Sequence, residues 1–74
     1  MINNCIGFII KFHREILKME QAELAEKVGV SQPVISRLEK GEANWTVSRL
    51  CHVCDALNLD VKHVITQALL FKNK

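Results

Sequence analysis

Apolar residues recur three and four apart along this chain, the spacing of buried helix faces rather than the alternation of a half-buried strand. The pattern predicts five helices. The first runs from a cap at Asn3 or Asn4 to about Lys18, with an inner stripe of Ile6, Ile10, His13 and Leu17. A second stripe, Cys5, Ile9, Phe12 and Ile16, has the same spacing and lies about 100° round the helix, with Phe8 beside it. Only Asn4, Lys11, Glu15 and Lys18 form a polar face. The second stripe therefore needs a cover, either the last helix of the same chain or another subunit.

A second helix is predicted from Gln21 to Val28 and a third from Gln32 to about Lys40. Thr46 caps a fourth that reaches about Leu57, with Val47, Leu50, Val53, Cys54 and Leu57 as its buried stripe. Asn58 and Leu59 connect it to a fifth, capped by Asp60, whose apolar positions are Val61, Val64, Ile65, Ala68 and Leu69. Leu70 and Phe71 prolong it before a Lys72-Asn73-Lys74 tail. The expected architecture is all-α, a compact five-helix bundle forming one domain over residues 1–74.

The second and third helices, QAELAEKVGVSQPVISRLEKG, are joined in a particular way. Leu24 and Val28 share one helix face and Ile35 and Leu38 another, so both stripes can meet a common core. Ala25 permits a close crossing, Gly29 suits a left-handed helix end, and Val30 plugs the turn. Ser31 suits an N-cap, Pro33 is tolerated in a first turn, and Gly41 closes the third helix. These are the requirements of a helix–turn–helix spanning residues 21–41.

The stretch resembles the Cro/phage-repressor class of DNA-binding domains (the xenobiotic-response-element family), most closely over GVSQPVISRLEKG, and the likeness extends over roughly residues 6–65. The resemblance implies a lambda-repressor-like fold whose third helix enters the major groove of double-stranded DNA. It implies that Gln21, at the start of the second helix, holds a phosphate with help from the helix end. It also implies a structural ion pair between Arg14 and Glu39, locking the third helix onto the first. Two departures stand out. Glu20 occupies the usual Ser/Thr cap position, and the loop Glu42-Ala43-Asn44-Trp45 carries an acid where relatives carry bases.

With Ile35 and Leu38 turned inward, Gln32, Pro33, Ser36 and Arg37 face outward, with Ser31 at the cap and Lys40 at the far end. Gln32 suits a bidentate contact to adenine and Arg37 one to guanine, although Arg37 on phosphate or on an acid of its own helix is equally open. Pro33 offers only apolar surface, for example to a thymine methyl. Asn44 has a donor for phosphate. Trp45 has three possible seats, a sugar, a dimer partner or its own fourth helix, the last being the commonest fate of a lone tryptophan.

A chain of 74 residues buries only about 60% of its unfolded surface and gains from packing against a copy of itself. The expected dimer surface is the fifth helix around Ile65, Leu69 and Phe71, with the outer stripe of the first helix as the alternative. The net charge of +2 permits nucleic-acid binding without arguing for it. Three cysteines, an odd count, argue against a disulfide scaffold and fit a reducing compartment. Cys51-His52-Val53-Cys54 has the spacing of half a zinc site, but Cys54 falls in a core stripe. Cys5, His13 and His63 form no second half, so no metal and no cofactor are expected. No apolar run approaches the 18 or so residues of a membrane span, and no signal peptide is evident, which suggests a cytoplasmic protein. Asn44-Trp45-Thr46 spells a sequon that, without a secretory signal, is read as chance. No nucleophile–base set or phosphate-cradling glycine loop suggests an enzyme. The expected function is sequence-specific transcriptional regulation, as a repressor binding a near-palindromic operator as a homodimer. The alternatives are the DNA-binding antitoxin of a toxin–antitoxin pair, with a toxin as protein partner, or a protein-interaction module with weak DNA binding.

Overall fold

The computed structural model describes residues 2–72; Asn73 and Lys74, the end of the expected tail, lie outside them. The five helices are α1 (Ile2–Ile16), α2 (Gln21–Val28), α3 (Gln32–Lys40), α4 (Val47–Ala56) and α5 (Val61–Lys72), and no strand occurs among the described residues. The all-α expectation holds.

One device ends each of the first four helices. A residue with positive φ follows the last turn: Lys18 (57°), Gly29 (84°), Gly41 (77°) and Asn58 (58°). The next N–H then folds back onto the carbonyl five residues earlier. The bonds are Met19 to Arg14 at 3.1 Å, Val30 to Ala25 at 3.0 Å, Glu42 to Arg37 at 2.9 Å and Leu59 to Cys54 at 2.8 Å. Asparagine tolerates this conformation, whereas Lys18 holds it at a cost of about 1–2 kcal/mol.

The helix starts are less uniform. The Thr46 hydroxyl accepts from the Arg49 N–H at 3.1 Å, and Asp60 Oδ1 accepts from the Lys62 N–H at 3.0 Å. Ser31, expected to cap α3 through its hydroxyl, makes no side-chain cap bond; its backbone carbonyl alone accepts, from Val34 and Ile35. Asn3 and Asn4 lie inside α1 and do not cap it, because the helix already begins at Ile2.

The core gathers Ile6, Ile9 and Ile10 of α1, Leu24 and Ala25 of α2, Ile35 and Leu38 of α3, Leu50, Val53 and Cys54 of α4, then Leu57, with Val64 and Ala68 of α5. Three stripe assignments are corrected here. The inner face of α1 runs Ile6, Ile10, Arg14, with Ile9 beside it, because α1 packs against α3 on one side and α5 on the other. His13 is only half-buried, edge-on to the Phe12 ring, and Leu17 lies past the helix end and is 54% exposed. Val47, on the first turn of α4, projects beyond its neighbours and is 77% exposed; coverage of that stripe begins at Leu50.

Gly7 sits where α1 crosses α3. A Cβ there would lie 2.5 Å from the carbonyl oxygens of both Leu38 and Glu39, inside any real contact distance. The last turn of α3 thus rests directly on the α1 backbone.

Candidate nucleic-acid interface

Behind α3 lies a buried ion pair. Arg14 Nε donates to Glu39 Oε2 at 2.6 Å and Arg14 Nη2 to Glu39 Oε1 at 3.0 Å, a two-pronged contact between side chains both almost fully buried. The third arm, Nη1, donates to the Met19 carbonyl at 2.6 Å, tying down the α1–α2 connection. The hydrogen bond to Glu39 holds the Arg14 pKa above its ordinary value against the opposing effect of burial, aided by the charges of Glu39, Glu15 and Glu20. Among the described residues no buried side-chain nitrogen or oxygen lacks a partner.

The pair does not stop at Glu39. Gln21 Nε2 donates to Glu39 Oε1 at 2.9 Å, and Gln32 Nε2 donates to Gln21 Oε1 at 2.6 Å. A continuous polar chain therefore runs from the core to the first residue of α3. Gln21 and Gln32 also line a shallow depression with Arg14, Glu20 and Ala22 at the start of α2. Eleven residues separate the two glutamines and eighteen separate Gln21 from Glu39, so no local pattern announces the connection.

The outward residues of α3 are accessible. Ser31, Gln32, Pro33, Arg37 and Lys40 are exposed and Ser36 is half-buried. The following loop is held by a residue that sequence reasoning assigned elsewhere. Asn3 Nδ2 donates to Asn44 Oδ1 at 2.9 Å, and Asn3 Oδ1 accepts from the Trp45 N–H at 3.3 Å. Asn44 is exposed with its carbonyl engaged, which leaves its amide N–H groups for solvent or ligand. Trp45 is half-buried against the core, and its indole N–H donates to the Leu38 carbonyl at 3.1 Å. It thus seats on the end of α3 within its own chain.

No three His, Cys, Asp or Glu side chains gather as a metal site among the described residues. Cys54 is fully buried, and desolvation above all, with the nearby Cys51, Asp55 and Asp60, pushes its thiol up to about 11. No helix among the described residues is long and apolar enough to cross a membrane.

Two comparisons with known proteins agree on what this architecture is. A profile of the helix-turn-helix family matches residues 10–64. Among solved structures, the chain is similar to the clp gene regulator ClgR from Corynebacterium glutamicum, with 29% identity, a TM-score of 0.88, and coverage of 93% of this chain and 90% of that one. The fold is also that of the restriction-modification controller protein C.AhdI from Aeromonas hydrophila (18% identity, TM-score 0.79, 84% and 90% covered). The wild-type controller C.Esp1396I shares it as well (23% identity, TM-score 0.82, 95% of each chain covered). A search of curated proteins matched nothing. The left-handed turn at Gly29, the exposed face of α3 and a profile match over most of the residues lead to one conclusion: this chain belongs to the Cro/C1-type helix-turn-helix family of DNA-binding transcription regulators.

Proposed function

We propose that residues 1–74 act as a single DNA-binding domain that recognises a near-palindromic operator as a homodimer and represses transcription by occupying it. The observation that carries the reading is the exposed outer face of α3, where Arg37 and, at the start of the helix, Gln32 and Pro33 stand clear of the protein over a core that holds the helix in place. A recognition helix places these first residues nearest the base edges. Gln32 would read adenine and Arg37 guanine or phosphate, with Pro33 and Ser36 against the groove wall. Gln21, Ser31, Lys40 and the free amide of Asn44 would contact phosphate. Glu20 and Glu42, both exposed near that path, oppose phosphate, so the affinity should fall only shallowly with salt for this family.

The dimer is supported by what α5 leaves uncovered. Ile65, Leu69, Leu70 and Phe71 are 39–61% exposed. Phe71 meets Phe8 of α1 edge-on at 6.0 Å, beside the exposed Phe12, so α1 adds apolar surface next to the end of α5. A two-fold pair would set two α3 helices about 34 Å apart, in successive major grooves. Repression follows from economy of parts, since blocking a promoter needs no additional activating surface. The protein would work in the cytoplasm, where its DNA is.

Selection of bound duplexes from a random pool tests the reading. Gln32→Ala and Arg37→Ala are each expected to lose about 1–3 kcal/mol of preference at one base pair, with little change in thermal stability because both sites are exposed. Unchanged site preference in both variants would refute base reading by α3. Mass in solution tests the dimer: Leu69→Glu should sediment as a single chain at concentrations where the wild type is paired. A wild type that occupies its selected duplex with only one chain bound would remove the homodimer.

A further inference from the structure

We propose that Asn3, on the first turn of α1, is a positioning residue for contact with the DNA backbone: it turns the Asn44 side chain so that a phosphate meets hydrogen-bond donors. The inference rests on the reading that α3 enters the major groove, with Asn44 beside it on a phosphate. The loop from Glu42 to Trp45 offers an anion little else. Its one charged side chain is the Glu42 carboxylate, and the Trp45 indole N–H is occupied by the Leu38 carbonyl at 3.1 Å. The Asn44 amide is therefore the one side-chain donor that this loop has left for a ligand. A free asparagine amide turns over about its last torsion at little cost, and shows a phosphate its oxygen as readily as its nitrogen.

Asn3 removes that freedom. The Trp45 backbone N–H can only donate, so Asn3 meets it with oxygen, at 3.3 Å. The Asn3 nitrogen is thereby turned to Asn44, which must answer with its own oxygen, at 2.9 Å. That leaves the N–H groups of Asn44 for a ligand, on a residue that is exposed. Reversing Asn44 would set two amino groups against each other, and reversing Asn3 would set one against the Trp45 N–H. The frame behind the pair is close-packed. The first turn of α1 lies directly on the end of α3, since a Cβ at Gly41 would run into the Asn4 side chain, and Trp45 is half-buried against the core. Phosphate oxygens accept and do not donate, so an amide held nitrogen-outward binds them without the ordering cost of a loose side chain. A residue outside the helix–turn–helix, 41 positions from its partner, thus serves the DNA interface without touching DNA.

The probe is the duplex selected by the wild-type protein, bound at one fixed salt concentration, beside duplexes with each base pair exchanged. Asn44→Ala is expected to weaken binding about tenfold and Asn3→Ala about threefold. Both losses should be equal on every duplex, because a phosphate contact carries no base preference. The deciding measurement is the pair of changes together: Asn3→Ala should cost nothing further in the Asn44→Ala protein. A merely structural role for Asn3, bracing the loop or α3, would cost the same in both backgrounds and would overturn the proposal. Asn3→Asp adds a variant in which the loop stays tied, since a carboxylate still accepts from the Trp45 N–H. It faces Asn44 with oxygen, draws the amide nitrogen inward and should lose more than Asn3→Ala, with most of the excess gone in the Asn44→Ala protein. An excess that persists there is charge repulsion alone and counts against the proposal. Wild-type affinity in Asn44→Ala overturns it while leaving α3 as the reader, provided Gln32→Ala or Arg37→Ala still alters site preference. If neither of those two does, the reading beneath the proposal fails, and the proposal with it.

Discussion

Arg14→Ala is expected to lose about 3–5 kcal/mol of folding stability, the toll of stranding one partner of a buried ion pair. A domain of this length holds roughly 4–11 kcal/mol in total, so the variant should lose a large share of its folding margin. Three consequences converge at this position. The Glu39 carboxylate, 6% exposed, keeps only the Gln21 amide as a donor; the Met19 carbonyl loses its cation; and the turn between α1 and α2 loses its tie to the core. Urea titration followed by circular dichroism measures the loss. Arg14→Met combined with Glu39→Leu should recover most of it, because the cost lies in the unpaired charge rather than in the missing pair. An Arg14→Ala midpoint within about 1 kcal/mol of wild type would show that water reaches Glu39 and that the pair is not structural.

Gly7→Ala carries the second large effect, and its sign separates two accounts of the residue. Helix propensity alone predicts a gain of about 1 kcal/mol, since alanine is the better helix former. The crossing with α3 predicts the opposite. A methyl at Gly7 would sit 2.5 Å from two backbone carbonyl oxygens, and neither can swing aside as a flexible side chain could. The helices must part, which costs typically 1–3 kcal/mol in a packed core and occasionally more. A net loss of about 2 kcal/mol is expected, larger for Gly7→Val. The carbonyls that would move belong to Leu38 and Glu39, so α3 should shift as well, weakening DNA binding even where the protein remains folded. A higher melting temperature for Gly7→Ala would overturn the close-approach account.

The outer face of α1 shows where sequence reading stops. Two stripes of equal spacing compete for the inside, and periodicity cannot rank them. The core takes Ile6 and Ile10 from one and Ile9 from the other, then places the charged Arg14 where His13 and Leu17 were expected. Arg14 is admitted because Glu39, on another helix, neutralises it. Asn3 shows the same limit: it reads locally as a helix cap, yet it holds the loop at Asn44 and Trp45, more than forty residues away.

Spacings of three and four, and the residues able to take a positive φ at Gly29, Gly41 and Asn58, are properties of neighbours in the chain. They sufficed to determine five helices, their turns and the helix–turn–helix, while the family came from the resemblance over GVSQPVISRLEKG and the profile match. Which residues α3 turns outward also followed, by elimination, once Ile35 and Leu38 were assigned inward. Tertiary structure alone decided which α1 stripe is buried, why residue 7 must be glycine, and that Gln32, Gln21, Glu39 and Arg14 form one hydrogen-bonded chain. Those outcomes depend on where one helix crosses another. A crossing is set by the packing of many side chains at once, which leaves no periodic trace in any single helix.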